Sequence, residues 1–124
     1  MKYLLFLLFG FMGMQAEGHQ FTPAYPKLEV SYIDDILVAK MELFNSRNDV
    51  TFYELSVFDG NWNPMPFATT DKIIEVGYLQ RKNIEIYVRA KDKDKIVYIC
   101  SKSKLSPVGD QITVISSRIC SKVK

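Results

Sequence analysis

Apolar and polar residues alternate with a period of two through much of this chain. That pattern constrains the fold more than any other feature, because it sends one face of each segment to a core and the other to water. In residues 83–90, Ile84, Ile86, Val88 and Ala90 alternate with Glu85, Tyr87 and Arg89. In residues 36–45, Leu37, Ala39, Met41 and Leu43 share one face and Lys40 and Glu42 the other. In residues 50–59, Tyr53, Leu55 and Val57 alternate with Glu54 and Ser56. No amphipathic helical stretch of useful length interrupts this pattern, so the spacing predicts a domain made mostly of strands.

The segments between these runs carry turn chemistry. Ser46-Arg47-Asn48-Asp49 predicts a tight turn that pairs 36–45 and 50–59 as a hairpin. Pro23 and Pro26 precede the run 27–32 and suit an edge strand, since proline cannot donate to a ladder. Asp59-Gly60, Asn61, Asn63, Pro64 and Pro66 make an irregular stretch around Trp62 and Phe67, and 72–76 is a short strand ended by Gly77. Lys91-Asp92-Lys93-Asp94-Lys95 reads as a solvated loop. Residues 96–100 and 111–120, joined through Ser106-Pro107-Val108-Gly109-Asp110, read as a closing hairpin. About seven short strands with turns every eight to twelve residues predict an all-β, immunoglobulin-like β-sandwich, with a small closed barrel as the competing architecture.

Lys2 followed by the apolar run 3–14 reads as an export signal, too short for the roughly 20 residues of a membrane-spanning helix. Cleavage after Gly18 places Ala16 and Gly18 at the two small-residue positions, whereas cleavage after Ala16 leaves Met14 at the outer one; Gly18 is slightly favoured. The reading is therefore a signal peptide over 1–18 and one domain over 19–124, with 19–25 a flexible tail, in a secreted or periplasmic protein with no membrane span after cleavage. Of 124 residues, 48% are hydrophobic and 24% charged, enough apolar matter for one core and not two. A net charge of +2 with interspersed signs gives no basic face for nucleic acid. Cys100 and Cys120 lie in the exported portion, equidistant from residue 110, which predicts a disulfide across the last two strands. A metal site is the weaker reading of this pair, because His19 is the sole histidine.

Several stretches resemble the N-terminal domain of periplasmic pilus-assembly chaperones, the PapD-like family. Pro26-Lys27-Leu28-Glu29-Val30 is similar to that family's first strand, Leu43-Phe44-Asn45-Ser46-Arg47-Asn48-Asp49 to a strand-to-turn motif, and Leu55-Ser56-Val57-Phe58-Asp59-Gly60 to the strand and acidic turn that follow. Ile112-Thr113-Val114-Ile115-Ser116-Ser117-Arg118-Ile119 resembles its last strand, which runs into an arginine and an isoleucine. The resemblance implies strand addition: the last strand lends its edge and apolar side chains to an incomplete exported subunit. It implies Ile112, Val114 and Ile115 as donated side chains and Lys27 as a holder of the subunit's terminal carboxylate. The family's lysine after the arginine-isoleucine pair is replaced by Cys120, so Lys122, two residues on, is the substitute charge; the family's second domain has no counterpart in the chain. A bridge between the last two strands also occurs in the long-loop branch of this family.

Catalysis has little to use. Histidine-assisted nucleophilic chemistry has only His19, in the segment expected to be flexible or removed, and Glu54, Asp59 and Glu75 fall on solvent-facing strand positions or turns. The expectation is a non-enzymatic protein without cofactor or metal, a chaperone-like or assembly-binding module for an exported subunit of a pilus, secretion or surface assembly. The alternatives are a structural subunit of such an assembly and a small secreted inhibitor of an envelope hydrolase, the latter using the loop 59–67. Ordinary core packing is the competing role for Ile112, Val114 and Ile115, and a solvated, aggregation-blocking lysine is the competing role for Lys27.

Overall fold

The computed structural model describes residues 18–104 and 116–124. Eight strands form two antiparallel sheets: β1 (His19–Thr22), β2 (Glu29–Val30), β3 (Ile36–Asn45), β4 (Phe52–Asp59), β5 (Ile73–Glu75), β6 (Arg81–Arg89), β7 (Ile96–Ser103) and β8 (Arg118–Lys122). In the first sheet β3 is central. β6 pairs along one of its edges from Ile36↔Arg89 to Phe44↔Arg81, while β1 and β2 share the other, β1 near Asn45 and β2 at Val38 and Leu37. The second sheet has the order β5-β4-β7-β8. With β1 and β2 counted as one interrupted strand, this is the seven-strand immunoglobulin-like sandwich the alternation predicts.

The core lies between the sheets, built from the faces the alternation assigns. Ala39, Met41 and Leu43 of β3 and Ile84, Ile86 and Val88 of β6 face Tyr53, Leu55 and Val57 of β4 and Ile99 of β7, all buried. Burying such side chains contributes about 1.5–3 kcal/mol each before chain entropy is charged against it.

Between β1 and β2 the chain crosses to the other sheet. After a cis Thr22–Pro23 peptide, residues 24–26 run alongside the end of β8: the Lys122 amide donates to the Ala24 carbonyl at 2.9 Å and the Lys124 amide to the Pro26 carbonyl at 3.0 Å. Both partners advance in the same direction, so this short pairing is parallel. Pro26 has no N–H to return, so it leaves its rung of the pairing one-sided.

Three expectations change. β3 and β4 do not form a hairpin, because they belong to different sheets. The buried Asn45 side chain takes the corner: its Nδ2 donates to the Val50 and Val76 carbonyls at 2.7 and 2.8 Å, and its Oδ1 accepts from the Arg47 amide at 2.9 Å and the Tyr53 hydroxyl at 2.5 Å. Those bonds satisfy backbone groups that a hairpin would have paired in a ladder, and turn the chain across the sandwich. The segment 19–25, read as a flexible tail, supplies β1, with Phe21 in the core. In the charged run 91–95, Asp92 is buried and accepts from Arg89 Nε at 2.7 Å, after a single 3-10 turn at Ala90–Asp92.

Candidate partner-binding edge

β8 is the outer strand of the second sheet, paired to β7 with Ile99↔Ser121, Cys100↔Cys120 and Ser101↔Ile119 opposite one another. Ile99 and Ser101 lie opposite Val57 and Leu55, on the core face, so Ile119 and Ser121 point inward too. Arg118, Cys120 and Lys122 point outward. The Lys122 amide is aimed away from β7, at Ala24. By the same alternation the backbone groups of Arg118 and Cys120 also point away from β7, where no backbone partner takes them among the described residues.

The disulfide joins the two strands at a directly opposed pair, with a Cα–Cα distance of 4.1 Å. It lies on the outer face of the sheet beside an aromatic group. Trp62 stacks on Tyr98 with ring centroids 4.0 Å apart and an interplanar angle of 2°, and the Arg118 guanidinium lies 5.2 Å from the Trp62 ring and 5.7 Å from Phe58. The loop that carries Trp62 is folded back on β4. The Asp59 carboxylate accepts from the Asn61 and Asn63 amides, both at 2.9 Å, and these bonds, Asn63's first, hold its pKa below the ordinary value. Phe67 packs against the core, so of the two loop aromatics only Trp62 is largely accessible.

His19 is the residue that sequence reasoning missed. It is 6% exposed, wedged between the sheets, with its ring 4.7 Å from that of Tyr53. Nε2 is 3.0 Å from Ser101 Oγ and 3.4 Å from the Ser101 carbonyl, and Nδ1 is 3.2 Å from Ser117 Oγ. Ser117 in turn donates its amide to Ser103 Oγ at 2.8 Å, so β1, β7 and the approach to β8 share one polar cluster. Burial lowers the His19 pKa below 6.5; the bond to the Ser101 carbonyl opposes this and the Arg47 charge adds to it. Burial likewise pushes Tyr53 up to about 12. Ser121 Oγ, buried on the same inner face of β8, has no hydrogen-bond partner among the described residues. The signal for His19 was its parity: it stands two residues before Phe21, on the same face of a strand.

Cys100 and Cys120 form the bridge expected of them. Lys27 and Lys122 are both exposed, and the parallel contact of residues 24–26 with β8 brings Lys27 to the end of that strand, where Lys122 and Lys124 also lie. Ile112, Val114 and Ile115 fall outside the described residues. A separate apolar groove of about 340 Å³ opens on the first sheet between Tyr32, Ile33, Phe67 and Tyr87, and contains neither Lys27 nor Lys122. Among the described residues no group of His, Cys, Asp and Glu is arranged to hold a metal ion, and no helix is long and apolar enough to cross a membrane.

These features define a disulfide-stapled, immunoglobulin-like sandwich with a partly unpaired edge strand. The sequence matches no protein-family model and no curated protein. Among solved structures, a chain of the Salmonella enterica SafA pilin in complex with the SafB chaperone is similar, with a TM-score of 0.64 and 14% identity over 90% of this chain and 55% of that one. The protein thus shares its immunoglobulin-like fold with part of a chain of that complex and spans about half the length of that neighbour.

Proposed function

We propose that this is a non-enzymatic, exported assembly-binding module, chaperone-like, that engages an exported partner subunit by strand addition along β8. The observation that carries the reading is the outward edge of β8 at Arg118 and Cys120, whose backbone groups have no backbone partner among the described residues, while the other edge of the strand is paired to β7 and its end is held by residues 24–26. Unpaired edges invite a strand, and proteins usually blunt them unless they are used. The fold likeness to a chain of a pilin–chaperone complex supports the same reading. The disulfide belongs to an oxidising compartment, in keeping with export. The burial of His19, with two serine hydroxyls and the Arg47 charge about it, supports a structural role over a catalytic base.

Ile112, Val114 and Ile115 are the proposed donated side chains, with Lys27 and Lys122 as flanking charges. The test is an affinity pull-down of the oxidised protein from envelope extract, comparing wild type with Ile112→Asp/Val114→Asp after circular dichroism has shown both folded. Recovery of a co-exported subunit by the wild type alone supports strand addition. A self-oligomer, or a hydrolase captured equally by both, refutes it in favour of the structural-subunit or the inhibitor reading.

A further inference from the structure

We propose that the leader is removed by a signal peptidase cutting after Ala16, so that the mature chain begins at Glu17 and retains Gly18. This rests on the export reading above. Gly18 is built into the sandwich: its carbonyl accepts from the Ser46 amide at 2.9 Å and from Ser46 Oγ at 2.5 Å, and its amide lies 3.1 Å from the same hydroxyl. The contact extends the β1–β3 ladder by one pair beyond His19↔Asn45, at the strand end where Asn45 turns the chain into the other sheet.

A cut after Gly18 removes that rung and leaves the Ser46 amide without its acceptor. It also creates an α-ammonium on His19, a residue 6% exposed whose own ring has its pKa lowered by burial and by the Arg47 charge. Placing a new positive charge there costs desolvation, and the described partners of the His19 ring, which are serines and the Tyr53 ring, include no anion. A cut after Ala16 keeps Gly18 as an ordinary peptide unit and puts the ammonium two residues before His19, on an acidic residue. The small-residue rule is met at the inner position by both cuts and at the outer position only by the cut after Gly18, where Ala16 stands in place of Met14. The peptidase reads an unfolded precursor, so the fold does not direct it. What the fold does is identify the product that can complete its first strand.

The full precursor is expressed with export into a bacterial periplasm, and the recovered protein is read by N-terminal sequencing and intact mass. The expected start is Glu17-Gly18-His19-Gln20-Phe21. A start at His19 overturns this proposal and leaves the export reading standing; a recovered protein that still begins at Met1 overturns both. Independently, chains starting at Glu17 and at His19, each released from a fusion with its native first residue, are unfolded in urea. The chain that begins at His19 should have an unfolding constant about tenfold larger or more, from the lost hydrogen bonds alone. Equal midpoints overturn the argument from Gly18.

Discussion

Replacing Asn45 with alanine tests how the chain turns from one sheet into the other. The carboxamide is 0% exposed and makes four hydrogen bonds, donating to the Val50 and Val76 carbonyls and accepting from the Arg47 amide and the Tyr53 hydroxyl. Alanine strips a partner from all four. A buried polar group left unsatisfied costs about 1–3 kcal/mol, so even at the low end four of them sum to about 4 kcal/mol. That is a large part of the roughly 5–15 kcal/mol that holds a domain of this size folded. Tyr53→Phe removes only one of the four bonds and leaves Asn45 Oδ1 still occupied by the Arg47 amide, so its cost should be about 1 kcal/mol. Asn45→Asp keeps both acceptor contacts but sets a carboxylate oxygen against two carbonyls, and should be no better than alanine at neutral pH. Urea unfolding followed by circular dichroism, with unchanged slopes, gives the three values. A loss below about 1.5 kcal/mol for Asn45→Ala, or one equal to that of Tyr53→Phe, refutes the corner assignment.

Two further perturbations follow from the geometry. Replacing both Cys100 and Cys120 with alanine opens a loop with a sequence separation of 20, which in the chain-entropy model removes about 3 kcal/mol; an unchanged urea midpoint contradicts a stabilising role for the bridge. Because the folded-state pKa of His19 is lowered from 6.5, the unfolded chain takes up the proton first as pH falls. The contribution of His19 is therefore whole above pH 6.5 and is lost progressively below it until the lower, folded-state pKa is reached, with a limiting slope of about 1.4 kcal/mol per pH unit. His19→Gln should flatten the stability profile between about pH 7 and 5, where carboxylates contribute least. A variant that keeps the wild-type slope refutes the assignment.

Much of the sandwich was legible because a period of two fixes which face of a strand is buried. The alternation in β3 and β6 located both strands and their core faces, and counting outward from residue 110 placed Cys100 opposite Cys120. Alternation does not say which strand is the neighbour. The turn chemistry after Asn45 therefore suggested a hairpin, where the chain instead crosses between sheets. Asn45 itself gave a usable sign: it has the same parity as Leu37 through Leu43, hence faces the core, and a core-facing asparagine must bond to something. β1 was obscured by its shortness and by its position next to the apolar leader, although His19 and Phe21 have the spacing of a buried strand face. Of the candidate edge, the outward Arg118 and Lys122 were legible from parity, while the approach of residues 24–26 was not, since it rests on two backbone bonds between segments nearly a hundred residues apart.

That approach gives β8 a ruler. If β8 takes a guest strand as proposed, a guest laid along Arg118–Cys120 would extend toward Lys122 only by evicting residues 24–26, which are held there by the two amide-to-carbonyl bonds from Lys122 and Lys124. At about 0.5–1.5 kcal/mol net per bond the barrier is modest, yet it falls at one defined rung. On that reading short guests would stop at Cys120 without breaking those two bonds, and longer ones would have to unzip residues 24–26 to gain each further pair. Guest length, more than guest composition, would then set how deeply the host is remodelled.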